Sequence, residues 1–292
     1  MFIGTFTKKL LMFSLANILT SMNMLCGICS IIFSLSGRID WAVYILALAA
    51  MLDFADGFVA RLTQTNSNLG KQLDSLADVV SFGVAPGILM FVMIIIGIDQ
   101  SGLIKNSDGI QVYNGEYQEY VMSQLLDWKA ALFYGYNNVY NASIKFLPFI
   151  ALVIPFFALF RLANFNIDER QSDQFIGVPT PMATIFYSFF PLYFWFEQSN
   201  WSHQSSFIYS LFDCYTLSAI CLGFSILMII ELPLMTLKFK EYSWRNNQFR
   251  YLLLILSLIS IPFFLVWSIP IIVILYLILS IISQFQFKQH EI

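Results

Sequence analysis

Residues 74–98 read DSLADVVSFGVAPGILMFVMIIIGI: two acids four apart, then twenty residues without a charge. Twenty residues of helix reach about 30 Å, the thickness of a bilayer's hydrocarbon core. The run is continuous and does not alternate, so it predicts a membrane-spanning helix and not a barrel strand. Seven more apolar runs flank it, at 10–35, 41–62, 145–163, 179–196, 214–235, 251–267 and 269–285. The last two part only near Trp267–Pro270 and are expected to form a tight hairpin or one broken element. The expected fold is all-α, a polytopic membrane helix bundle of about eight transmembrane helices.

Composition agrees. Of 292 residues, 58% are hydrophobic, 17% aromatic and only 11% charged. A soluble domain carries roughly 25% charged residues, so solubility in water and disorder are both excluded. A net charge of −3 leaves no basic surface for nucleic acid. Cys26 and Cys29 form a C-x-x-C inside an apolar run with no second pair and no His nearby. They are read as small buried hydrophobes. With the N-terminus in the cytosol, eleven of the 15 Lys and Arg fall on the cytosolic side, among them Arg61, Lys71, Arg161 and Arg250. This predicts a multi-pass protein of the cell (inner) membrane, surrounded by membrane lipids. The polar insert at about 99–144 falls outside and is expected to be a partly helical lid.

Acids inside spans are costly and mark function. Asp53 and Asp56 lie three apart on one helix face, and Asp74 and Asp78 four apart on the next. A short inner loop joins the two helices, so both acidic faces can meet near the cytosolic surface. Four crowded carboxylates need cations. Oxygen-only ligands select Mg2+, Mn2+ or Ca2+, and two ions fit the charge count. Gly57, Ala60 and Gly70 are small and leave room for close approach, while Arg61 is a fixed cation suited to a diphosphate. A proton- or metal-coupled transporter would also bury acids in its spans, yet it leaves these spacings unexplained.

The pattern Asp53-x2-Asp56-Gly57-x2-Ala60-Arg61-x8-Gly70-x3-Asp74-x3-Asp78 resembles the full signature of the CDP-alcohol phosphotransferase family. That resemblance implies a six-helix core with a cytosol-facing site, usually in a homodimer. It implies transfer of a phosphatidyl or related group from a CDP-linked donor to an alcohol, with release of CMP. Asp53, Asp56, Asp74 and Asp78 become ligands of a two-ion site of Mg2+ or Mn2+, and Asp78 the general base. Gly57, Ala60, Arg61, Ser67 and Gly70 become contacts of the CDP-diacylglycerol donor. Asn17-Ile-Leu-Thr20 is similar to the family's P-N-x-x-T element, with Ala16 in place of the proline, and adds Asn17 and Thr20 to the nucleotide pocket.

Three further stretches resemble the phosphatidylserine synthase branch: Asn23 and Gly27 after Asn17; Ser81-Phe-Gly-Val-Ala-Pro86 after Asp78; and Arg161-Leu-Ala-Asn164 followed by Gly177-Val-Pro-Thr-Pro181. The acceptor is therefore expected to be L-serine, with glycerol 3-phosphate and choline as alternatives. Serine needs a cation for its carboxylate, which Arg161 could supply. It also needs acceptors for its ammonium, which Ser81 and the acids could supply. The expected core spans 1–235, with residues 236–292 adding a basic cytosolic loop and a two-span hairpin.

Overall fold

The computed structural model describes residues 14–63, 67–98, 117–135, 144–167, 175–197, 204–236 and 243–290. Of the 99–144 insert, residues 99–116 and 136–143 lie outside the described residues.

Helix α1 (Leu15–Leu35) starts at Ser14, whose hydroxyl accepts from Asn17 N at 3.3 Å. The chain turns at Gly37 (φ +76°) into α2 (Ile39–Leu62), and the two helices form the most extensive helix pair described. The face that α1 buries is small or polar: Asn17, Thr20, Asn23, Gly27, Ser30 and Ser34. Its exposed face is bulky, with Leu15, Ile18, Met22, Leu25, Ile28 and Ile32. That inverts the soluble pattern. Lipid tails are as apolar as Leu, so nothing drives Leu inward, and helices associate through close backbone approach and hydrogen bonds. Ser30 Oγ supplies one such bond to Ala42 O, at 2.9 Å.

Helix α3 (Asn68–Asp78) opens at Ser67, whose Oγ accepts from Gly70 N at 3.0 Å. It passes through a wide π-turn, Val79–Val84, into α4 (Ala85–Ile98), which is buried on nearly every side. Pro86 explains why this turn is irregular: it has no N–H for the carbonyl four residues back, Phe82 O. Thr184 Oγ1 lies 3.3 Å from that oxygen, and 3.0 Å from Thr180 O. Thr184 thus brings a hydroxyl from the facing helix to the irregular turn.

Around α4 stand α5 (Tyr117–Tyr134), a 3-10 segment Ile144–Leu152 running into α6 (Val153–Ile167), α7 (Thr180–Glu197), the short α8 (Ser206–Leu211) and α9 (Cys214–Ile229). Gly87 touches α6 so closely that a Cβ would lie 2.8 Å from Pro155 Cδ. On α7, Phe189 and Tyr193 pack against Phe212 and Trp267 in tilted and edge-on ring contacts. Two short strands, β1 (Phe175–Ile176) and β2 (Pro233–Leu234), pair antiparallel between the ends of α6 and α9. Helix α10 (Trp244–Phe264) breaks at Leu265 (φ +47°), and α11 (Ser268–His290) follows.

The molecule is an all-α, multi-pass integral membrane bundle. Five described segments have the length and hydropathy of a span: Leu15–Leu35, Ile39–Leu62, Asn68–Ile98, Ile144–Ile167 and Asn247–Ser283, the last crossing the α10–α11 break. The expected run at 214–235 is the shorter apolar helix α9. The run at 179–196 is α7, whose aromatic side chains turn inward. One expectation needs correction: all four cysteines are free, but Cys29 is exposed and Cys26 only half-buried. The inward positions of α1 are taken by smaller and hydrogen-bonding residues, so Cys29 falls on the outward face.

Candidate active site

The last three turns of α2 and the whole of α3 build one acidic centre. Helical spacing puts Asp53 and Asp56 on one side of α2, and α3 returns beside α1 with Asp74 and Asp78. One carboxylate oxygen each from Asp53, Asp56 and Asp74 lie within 4.8 Å of one another. Asp78 is within electrostatic reach of all three. Asp56 and Asp78 are buried, at 5% and 8% exposure, and Asp53 and Asp74 are half-buried.

Helix α1 orients two of the four acids. Thr20 Oγ1 donates to Asp56 Oδ2 at 2.5 Å. Asn23 Nδ2 donates to Asp78 Oδ1 at 3.3 Å, while its own Oδ1 is buried with no partner. Asn23 escaped the sequence-level choice of site residues. The signal was present, since it lies three residues after Thr20 on the same inward face. Asn17 is also buried on that face, and its Oδ1 would lie 3.3 Å from a Cβ at Gly70. The glycine therefore lets α3 meet Asn17.

The remaining residues divide by place. Gly57 opens on free space, with only an Arg61 amino nitrogen at 3.9 Å from a Cβ built there. Ala60 is half-buried, and Arg61 is exposed at the end of α2. Ser67 caps α3. Ser81 is fully buried, and its Oγ donates to Asn23 O at 2.9 Å, with Gly27 pressed against it. Arg161 is buried on α6, with Nε donating to Val178 O at 2.7 Å and its guanidinium 5.7 Å from the Phe165 ring. It lies within electrostatic reach of Asp78. The centre therefore gathers the four acids with Asn17, Thr20 and Asn23. Ser81 stands behind Asn23, and Arg161 is within electrostatic reach of Asp78.

Among the described residues, no Lys, Arg or His nitrogen lies within 4.0 Å of the four carboxylates, the one ion pair of that kind being Arg38–Asp40. Buried acids this close repel unless cations join them. Every ligand atom is a hard carboxylate oxygen, so the residues fit Mg2+ or Mn2+ and offer nothing to a thiophilic metal.

Residues 13–99 match the family model for CDP-alcohol phosphatidyltransferase, and they contain every one of these acids. Residues 13–99 are thus the stretch of the chain that is similar to this family. Over 251 residues it is 27% identical to a CDP-diacylglycerol–serine O-phosphatidyltransferase of Helicobacter pylori, covering 84% of this chain and 81% of that protein. It is 28% identical over 165 residues to the Bacillus subtilis protein of the same name, covering 55% of this chain and 66% of the relative. An archaetidylserine synthase of Methanothermobacter thermautotrophicus is 29% identical over 188 residues, 63% of this chain and 61% of its own length.

Proposed function

We propose that this chain transfers a phosphatidyl group from CDP-diacylglycerol to the hydroxyl of L-serine, giving phosphatidylserine and CMP. The observation that carries the reading is the meeting of Asp53, Asp56 and Asp74, with Asp78 beside them, inside the stretch that is similar to the CDP-alcohol phosphatidyltransferase family. The serine-specific names of the relatives support the choice of acceptor.

Asp53, Asp56, Asp74 and Asp78 would hold two divalent ions, Mg2+ or Mn2+. Such ions, when bound, neutralise a diphosphate and stabilise charge on the departing CMP. The chain's own groups do the rest. Arg61 offers a fixed cation to the donor's diphosphate, and Gly57 keeps the approach to it open. Asn17, Thr20, Ala60, Ser67 and Gly70 complete the surface for the nucleotide. Asp78, steadied by Asn23, accepts the proton of the serine hydroxyl. The serine oxygen forms its bond to the phosphatidyl phosphorus in line as the bond to the CMP oxygen breaks. Arg161 pairs with the serine carboxylate. The acids offer acceptors to the ammonium, while Ser81, expected to do so from sequence, is fully buried and donates to Asn23 O instead.

In this reading the acids face the cytosol of a cell's inner membrane, which the excess of Lys and Arg on that side supports. The core comprises residues 1–235, the appended part 236–292, and the working unit is a homodimer.

The test uses detergent-purified protein with CDP-diacylglycerol, radiolabelled serine and Mn2+ or Mg2+. Labelled lipid and CMP in equal amounts are expected, and EDTA removes both. CMP release with glycerol 3-phosphate or choline alone, and none with serine, would move the acceptor. No CMP under any ionic condition overturns the chemistry.

A further inference from the structure

Arg161 is only 6% exposed, yet among the described residues its one hydrogen bond runs from Nε to Val178 O. A guanidinium has five N–H donors, and among the described residues the terminal amino groups meet no hydrogen-bond acceptor. What fixes that geometry is the carbonyl of Val178, and the chain around it is held with unusual care. Gly177 has φ +75°, and a Cβ there would lie 2.4 Å from Met228 O, so glycine alone fits. Gly177 N donates to Leu232 O at 2.9 Å, and Val178 N to Leu227 O at 3.1 Å. Just before them, β1 pairs with β2, Ile176 opposite Pro233. Just after β2, Met235 O accepts from Tyr276 Oη at 2.8 Å. Tyr276 belongs to α11, is 3% exposed, and lies within electrostatic reach of the Arg161 guanidinium.

A connected path therefore runs from the last helix to the buried cation: Tyr276, Met235, β2, β1, Val178, Arg161. An appended hairpin that served only as an anchor would not require a buried phenol bonded to this strand. We propose that Tyr276 is a positioning residue for the acceptor: by fastening β2 it sets the Val178 carbonyl, which holds Arg161 with its terminal amino groups free for the acceptor's anionic group. The inference rests on the reading of Arg161 as the acceptor's cation.

The test compares wild type, Tyr276→Phe, Arg161→Lys and the double variant, full-length and in detergent. Serine and CDP-diacylglycerol are varied separately. Tyr276→Phe is expected to raise the KM for serine about tenfold, leaving kcat and the KM for CDP-diacylglycerol within about twofold. In the Arg161→Lys background the same change should move the serine KM by less than about twofold, because its effect passes through the guanidinium. A serine KM that stays at the wild-type value overturns the proposal. So does an undiminished effect in the Arg161→Lys background. Equal damage to kcat and both KM values, or failure to fold, assigns Tyr276 to structure alone and overturns it as well. If wild type works only with glycerol 3-phosphate, the serine reading falls, and the same four-way comparison on that anion still decides the role of Tyr276. Release of CMP with neither acceptor overturns both.

Discussion

Asp78 lies outside the close trio of carboxylate oxygens and, like Asp56 on Thr20, is held from α1. Asp53, Asp56 and Asp74 offer oxygens within 4.8 Å of one another, whereas Asp78 is gripped by Asn23, itself tied through its carbonyl to Ser81. A base needs a fixed direction more than it needs a shared ion. Asp78→Asn should therefore lower kcat about 10²- to 10⁴-fold while CDP-diacylglycerol still binds, as equilibrium binding of labelled donor would show. The acids were legible in sequence because a helix converts spacings of three and four into a shared face. Asn23 was half-legible, lying on the same inward stripe as Thr20. Tyr276 was not legible at all. In an apolar helix a tyrosine carries no mark of which carbonyl its hydroxyl will reach, and Met235 O lies far back along the chain.

At the level of elements, the contact between α1 and the π-turn after α3 sets the distance between Asn23 and Asp78. That contact depends on the missing side chain of Gly27, where a Cβ would lie 2.7 Å from Ser81 Oγ and 2.8 Å from its Cα. The obstacle includes backbone, so it cannot swing aside. Gly27→Ala should cost about 1–3 kcal/mol of stability, read as a lower unfolding midpoint, and should depress turnover with it. Gly223→Ala, on α9 with nothing within 4 Å of the added carbon, is the control and should behave as wild type. The helices themselves were readable from hydropathy, but the side they bury was not. Lipid removes the usual preference for large apolar residues inside, which is also why Cys29 emerged on the outward face. The π-turn had a visible cause in Pro86, though its partner Thr184 lies on a distant helix.

Over the whole molecule, the crowded acids couple the binding of a cation to the stability of the fold. Among the described residues no cationic nitrogen lies within 4.0 Å of the four carboxylates, so they repel one another, and any ion that binds only the folded chain must stabilise it. At a hundredfold excess over its dissociation constant, one such ion adds about 2.7 kcal/mol. Thermal unfolding in detergent should thus shift upward with Mn2+ or Mg2+ and return with EDTA, and Asp53→Ala with Asp74→Ala should abolish the shift. An unchanged midpoint in wild type would deny the cluster its ions. The two halves of the site also differ in when they become available. Asp53 through Asp78 and their partners on α1 emerge from the ribosome early and are close in sequence. In the arrangement proposed above, Arg161 is set by β2 and α11, which follow it in the chain. On that proposal, a chain caught before α11 is made would recognise the nucleotide, yet it would seat the amino acid only once α11 had entered the bilayer.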